Sequence, residues 1–199
     1  MNRMNWRSRF YKASRMGALL VSAVLLAVML GGCNIIALGQ AIMDKQKADE
    51  TFALTSSDGQ YQLTLPGDWS DAGSTLNDQA ILAACNLQQE KYVVVIAESR
   101  ADFYEDVTVQ DYMELLVEQM GLSIQDMRET PMGEVSVGGR TGYLSRLDGA
   151  IDGYEVTYWL TCVETSSDFV QITGWTLQSM ADECQQEFYE IETSFAEIV

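Results

Sequence analysis

Tyr92-Val93-Val94-Val95-Ile96-Ala97 is apolar at every position. A strand with one wet face alternates apolar and polar residues. A run with no alternation reads instead as a central strand covered on both sides. Upstream, Ala80–Leu87 is also apolar, and the two runs make a hairpin across Gln88–Lys91. Further upstream, Tyr61-Gln62-Leu63-Thr64-Leu65 alternates, with Asp58-Gly59 as the turn before it and Pro66-Gly67 as its stop.

Downstream of the central run the period changes from two to about 3.6. Thr108 caps a helix, Asp111 places a carboxylate near its N-terminal dipole, and Gly121 ends it. Val109, Tyr112, Met113, Leu116 and Met120 fall on one side of that helix. A second β block follows. Its strands are expected at Ile124–Thr130, Glu134–Val137, Arg140–Asp148, Tyr154–Glu164 and Phe169–Leu177, with turns at Gly138-Gly139, Gly149–Gly153 and Thr165–Asp168. A last helix starts near Ser179, with Asp182 and Glu183 in its first turn. Met180, Cys184, Phe188, Ile191 and Phe195 recur on its inward side, leaving Glu187, Glu190 and Glu192 as an exposed acidic face. The order β block, helix, β block, helix predicts an α+β fold: a largely antiparallel sheet flanked by helices.

Leu65-Pro66-Gly67-Asp68-Trp69, the hairpin, the first helix, Val137-Gly138-Gly139 and the terminal hairpin with its closing helix together resemble the PsbP-like group. That group is named for an extrinsic protein of the photosystem II oxygen-evolving complex. The resemblance spans about residues 51–199 and implies an α/β/α sandwich. Its motifs are structural and imply no photosynthetic role.

The first 32 residues are of another kind. They hold five basic side chains (Arg3, Arg7, Arg9, Lys12, Arg15) and no acid, and Met16–Leu30 is built of Met, Gly, Ala, Leu, Val and Ser. This is the layout of a secretory signal, and the apolar stretch falls short of the roughly 20 residues of a spanning helix. Leu30-Gly31-Gly32-Cys33 is similar to a bacterial lipobox, in which small residues before the cysteine fit a narrow peptidase cleft. That resemblance implies diacylglyceryl on the Cys33 sulfur, cleavage before Cys33, and a lipid bilayer as partner. Each buried CH₂ of an acyl chain such as palmitate is worth about 0.8 kcal/mol, and stable anchoring takes two chains. The alternative is an uncleaved anchor helix with an incidental cysteine. The expected organisation is a signal peptide over 1–32, a lipidated tether over 33–50 and one domain over 51–199. The tether begins apolar (Ile35, Ile36, Leu38) and ends charged (Lys47, Asp49, Glu50).

All 29 acids lie beyond Cys33, against seven basic residues there, which argues against nucleic acid as a partner. It equally argues against electrostatic attraction to anionic lipid. The chain has no histidine, so Ser-His-Asp and Cys-His catalysis and the usual mixed zinc sites are excluded. The cysteines show no CxxC spacing, no glycine pattern suits a nucleotide, and no cofactor is expected. Cys85, Cys162 and Cys184 all fall on inward faces and are expected to be buried thiols, although one disulfide among them is open.

Paired carboxylates are the one catalytic option left. Asp102, Glu105 and Asp106 form a candidate hard-cation loop, though their spacing matches no EF-hand. A second acidic stretch, Asp148–Gly153, reads as a turn. Trp69, Trp159 and Trp175 are expected in the core, with a ligand-stacking surface as the alternative. The functional expectation is a non-enzymatic, lipid-anchored envelope protein that binds or scaffolds a protein partner. The rivals are a small-ligand or cation-binding accessory protein and a carboxylate hydrolase.

Overall fold

The computed structural model describes residues 50–198. The signal peptide, the motif Leu30-Gly31-Gly32, Cys33 and all but the last residue of the tether lie outside the described residues.

In chain order the strands of the first half are β1 (Thr51–Thr55), β2 (Tyr61–Pro66), β3 (Ser70–Asp71), β4 (Leu82–Asn86) and β5 (Lys91–Ser99). Helix α1 (Val109–Met120) leads to β6 (Gln125–Val137), β7 (Arg140–Ile151), β8 (Tyr154–Glu164) and β9 (Asp168–Leu177). Helix α2 (Ala181–Thr193) and β10 (Ala196–Glu197) close the chain. Seven strands pair antiparallel in the order β3-β4-β5-β9-β8-β7-β6. A smaller antiparallel sheet has the order β1-β2-β10.

The central run does what its composition requires. Tyr92, Val94 and Ile96 enter one cluster with Tyr158, Leu160, Phe169 and Trp175, under Tyr112, Met113 and Leu116 of α1. Val93 and Val95 enter the other with Trp159, Val170 and Ile172, under Cys184, Phe188 and Ile191 of α2 and Leu63 and Leu65 of the small sheet. The period-two alternation of a strand sends neighbouring residues to opposite faces, so one apolar run supplies both cores. The fold is an α/β/α sandwich with the small sheet sharing the α2 layer.

Helix α1 starts where expected. The Asp111 N–H donates to Thr108 Oγ1 at 3.2 Å and the Thr108 N–H donates to the Asp111 carboxylate at 2.9 Å, a reciprocal capping box. Helix α2 has no such cap: a 3₁₀ turn, Gln178–Met180, leads into it and Ser179 caps nothing.

Two further stretches differ from the sequence reading. The two strands expected over 124–137 are one edge strand with register shifts at Gln125/Arg128 and Pro131/Gly133. Proline lacks the N–H that a ladder needs, and an edge strand with bulges tolerates it. The turn expected over Gly149–Gly153 shrinks to Asp152 and Gly153, with φ of 50° and 87°, the paired positive values of a tight hairpin turn. Gly149 is a strand residue instead. A Cβ there would lie 2.8 Å from the Gln125 carbonyl oxygen, so glycine is needed for close strand approach. In addition, β1 carries its own alternation at Phe52 and Leu54, which the sequence reading leaves unassigned, and β10 is only two residues long; both pair with β2.

Candidate functional site

The loop holding Asp102, Glu105 and Asp106 is organised around a cation that the protein itself supplies. The Arg100 guanidinium donates to the carbonyl oxygens of Tyr104 (2.7 Å), Glu105 (2.8 Å) and Val107 (3.0 Å), and its Nε donates to Glu164 at 3.0 Å. It also lies 4.9 Å from the centroid of the Phe169 ring, a cation–π contact. Among the described residues no group of three or more cysteine, aspartate or glutamate side chains is placed to hold a metal ion. The three acids are neighbours in sequence that the fold does not bring together as ligands.

The indoles are core. Trp69, Trp159 and Trp175 are each at most 2% exposed. Trp159 stacks on Phe188 at 4.5 Å, Trp175 stacks on Tyr92 at 5.3 Å, and the Trp69 Nε1–H donates to Glu187 at 2.7 Å. The stacking-surface alternative is therefore overturned. Cys85, Cys162 and Cys184 are buried free thiols. Burial, with Asp71 nearby, pushes Cys85 up to about 11. Burial also raises Cys162 and Cys184, so each is held in its unreactive form.

Asp148, which the sequence offers both as the end of the Arg140–Asp148 strand and as the start of an acidic turn, stands within β7. It accepts from the Thr157 hydroxyl at 2.5 Å and from Arg146 Nε at 3.1 Å, while Arg146 reaches Asp182 of α2 at 3.0 Å. Burial pushes this carboxyl up, but the Thr157 hydroxyl and the Arg146 guanidinium outweigh it and hold the pKa below the ordinary value.

The largest correction concerns α2. Glu187 and Glu192, expected to face water, both turn inward. Glu187 takes the Trp69 indole on one oxygen and the Lys91 ammonium on the other at 2.5 Å, and the Lys91 side chain is only 4% exposed. Glu192 is fully buried. Its carboxyl accepts from the Thr161 hydroxyl at 2.6 Å and from the Gly174 N–H at 3.0 Å. Gly174 makes this approach possible. A Cβ there would collide with the Phe188 ring and lie 2.9 Å from Glu192 Oε1. Burial pushes Glu192 up to about 8, against the lowering by its two donors. A signal for this was present. Cys184, Phe188 and Glu192 are four apart, and residues four apart share a helix face.

With the sandwich described, the class is plain: the fold is PsbP-like. Its solved likenesses include LpqN of Mycobacterium tuberculosis, described as involved in cell envelope biogenesis. That structure has a TM-score of 0.55 and 12% identity, and the match covers 75% of this chain and 91% of that one. Cyanobacterial PsbP (CyanoP) of Synechocystis sp. PCC 6803 has a TM-score of 0.52 and 10% identity, covering 78% of this chain and 99% of that one. At such identities the likeness establishes the fold alone. No family model and no curated protein matches the chain by sequence.

Proposed function

We propose that this chain is an extracytoplasmic protein anchored by lipid on Cys33, whose PsbP-like domain binds or scaffolds a protein partner and catalyses no reaction. The observation that carries the reading is the lipobox-like Leu30-Gly31-Gly32-Cys33, placed directly behind a basic segment and an apolar one. No helix among the described residues is long and apolar enough to cross a membrane. The cell-envelope role described for LpqN belongs to that protein and is compatible with this reading.

The non-enzymatic part rests on where reactive groups are spent structurally. Three thiols are buried and neutral, three indoles are packed, and Arg100 fills the acidic loop. Metabolic labelling of cells with a clickable fatty acid tests the anchor. The wild-type chain takes up the label and Cys33→Ala does not; equal labelling of the two refutes it. Cross-linking on intact cells tests the partner. Heat on titration with Ca²⁺ or a short sugar panel would favour the ligand-binding rival instead.

A further inference from the structure

We propose that Glu192 is a proton-dependent latch for the C-terminal unit α2–β10. The unit closes on the sheet while the carboxyl carries its proton and lifts away when the carboxyl ionises.

The geometry isolates this one group. Glu192 sits in the last turn of α2, where the helix dipole opposes a negative charge. From β8 it meets the Thr161 hydroxyl, and from β9 the Gly174 N–H. The neighbouring Cys162 belongs to the cluster on the opposite face, and burial keeps its thiol neutral. The small sheet and β6 add Leu63, Leu65, Val135 and Val137 to the apolar cluster around α2. On α2 itself, Glu190 is exposed, Cys184 is a buried thiol and Glu187 is bound to Lys91.

No counter-charge stands ready. The basic side chains of residues 50–198 are Lys91, Arg100, Arg128, Arg140 and Arg146. Four of them are in ion pairs: with Glu187, Glu164, Glu197, and Asp148 and Asp182 respectively. Arg128 lies on the edge strand β6. An ionised carboxylate here would be buried and unpaired, which proteins resolve by neutralising the group or exposing it.

What lifts is defined by the chain. Glu192 is followed by Ser194, whose hydroxyl accepts from the Thr64 N–H, then by Phe195 stacked on Tyr61 at 5.5 Å, then by β10 on β2. Opening also breaks the Glu187–Lys91, Asp182–Arg146 and Glu197–Arg140 ion pairs, the Glu197 bonds to Ser166, and the bond from the Ile198 N–H to the Gln60 carbonyl oxygen. Opening uncovers Trp159, which is stacked on Phe188.

The sign is set by linkage. The folded pKa lies above the unfolded one, so closure is at full strength below about pH 4.5 and is lost as pH rises through about 8. The test is hydrogen exchange of the full-length, detergent-solubilised chain from pH 6 to 9, corrected for intrinsic rates, for wild type and Glu192→Gln. The expected result is an open population of α2 and β10 that rises roughly tenfold per pH unit in wild type up to about pH 8. In Glu192→Gln it stays level. A level wild-type profile, the same slope in the variant, or loss of protection spread evenly over the whole domain would overturn the latch. Should the variant fail to fold, carboxyl ¹³C titration of wild type decides. A glutamate resonance titrating near pH 8 supports the proposal, and none titrating above pH 6 ends it.

Discussion

The Lys91–Glu187 pair allows the packing of α2 to be tested by a double-mutant cycle in which the two single losses should be unequal. The two partners differ in access to water: the Lys91 side chain is 4% exposed and that of Glu187 is 27% exposed. In Glu187→Gln the amide oxygen still accepts from Trp69, and the buried ammonium loses its counter-charge. Breaking a buried pair from one side costs about 3–5 kcal/mol, and the partial exposure of Glu187 puts this case near the lower end, at about 3 kcal/mol. Lys91→Met leaves behind the carboxylate that water can reach, so about 1.5 kcal/mol is expected, between the buried and exposed limits. The double variant leaves no orphan charge, and its loss should also be about 1.5 kcal/mol. The coupling is then about 3 kcal/mol, at the upper end of what contacting residues show. Urea unfolding at pH 7, followed by tryptophan fluorescence, measures all four chains. With m near 2 kcal/mol/M, Glu187→Gln lowers the midpoint by about 1.5 M while m is unchanged. A Lys91→Met loss as large as that of Glu187→Gln, or single losses that simply add, would refute the reasoning.

Further outcomes follow from other contacts. Gly174→Ala forces a methyl against the Phe188 ring and the Glu192 carboxyl; overpacking of this kind costs about 1–3 kcal/mol, and thermal unfolding reads it as a lowered Tm. Thr108→Ala removes half of the capping box of α1 and should cost about 1 kcal/mol by urea denaturation. On the acid side, Asp148 and Glu197 have lowered pKa values, the latter chiefly through the Ser166 hydroxyl. Their contribution is present above the ordinary carboxylate range and is lost as pH falls through the folded values. Asp148→Asn should therefore flatten the acid limb of a stability–pH curve, and an unchanged limb would count against the Arg146–Asp148–Thr157 arrangement.

Most of the architecture was legible because it rests on periodicity. The unbroken Tyr92–Ala97 run implied two covered faces, and Thr108 with Asp111 marked a helix start to the residue. What was missed depends on contacts distant in sequence. Strand β10 has two residues and exists only because β2 offers an edge. Gly149 looked like a turn because the close approach of Gln125 is invisible until the bulge in β6 is known. Glutamate on a surface helix almost always faces water, so residue type alone puts Glu187 and Glu192 outside. Their inward placement depends on Lys91, Trp69, Thr161 and Gly174, none of them near in the chain. The acidic loop failed in the opposite direction: sequence proximity of Asp102, Glu105 and Asp106 suggested a site, and Arg100 already occupies the carbonyls around it.

The reading of this protein as a tethered envelope domain stands or falls on the chemistry of one sulfur. Intact-mass and N-terminal peptide spectrometry of the chain extracted from its native membrane examines it directly. The expected product begins at Cys33 and carries diacylglyceryl and acyl mass. A product that retains residues 1–32, or a free thiol at Cys33, would contradict it.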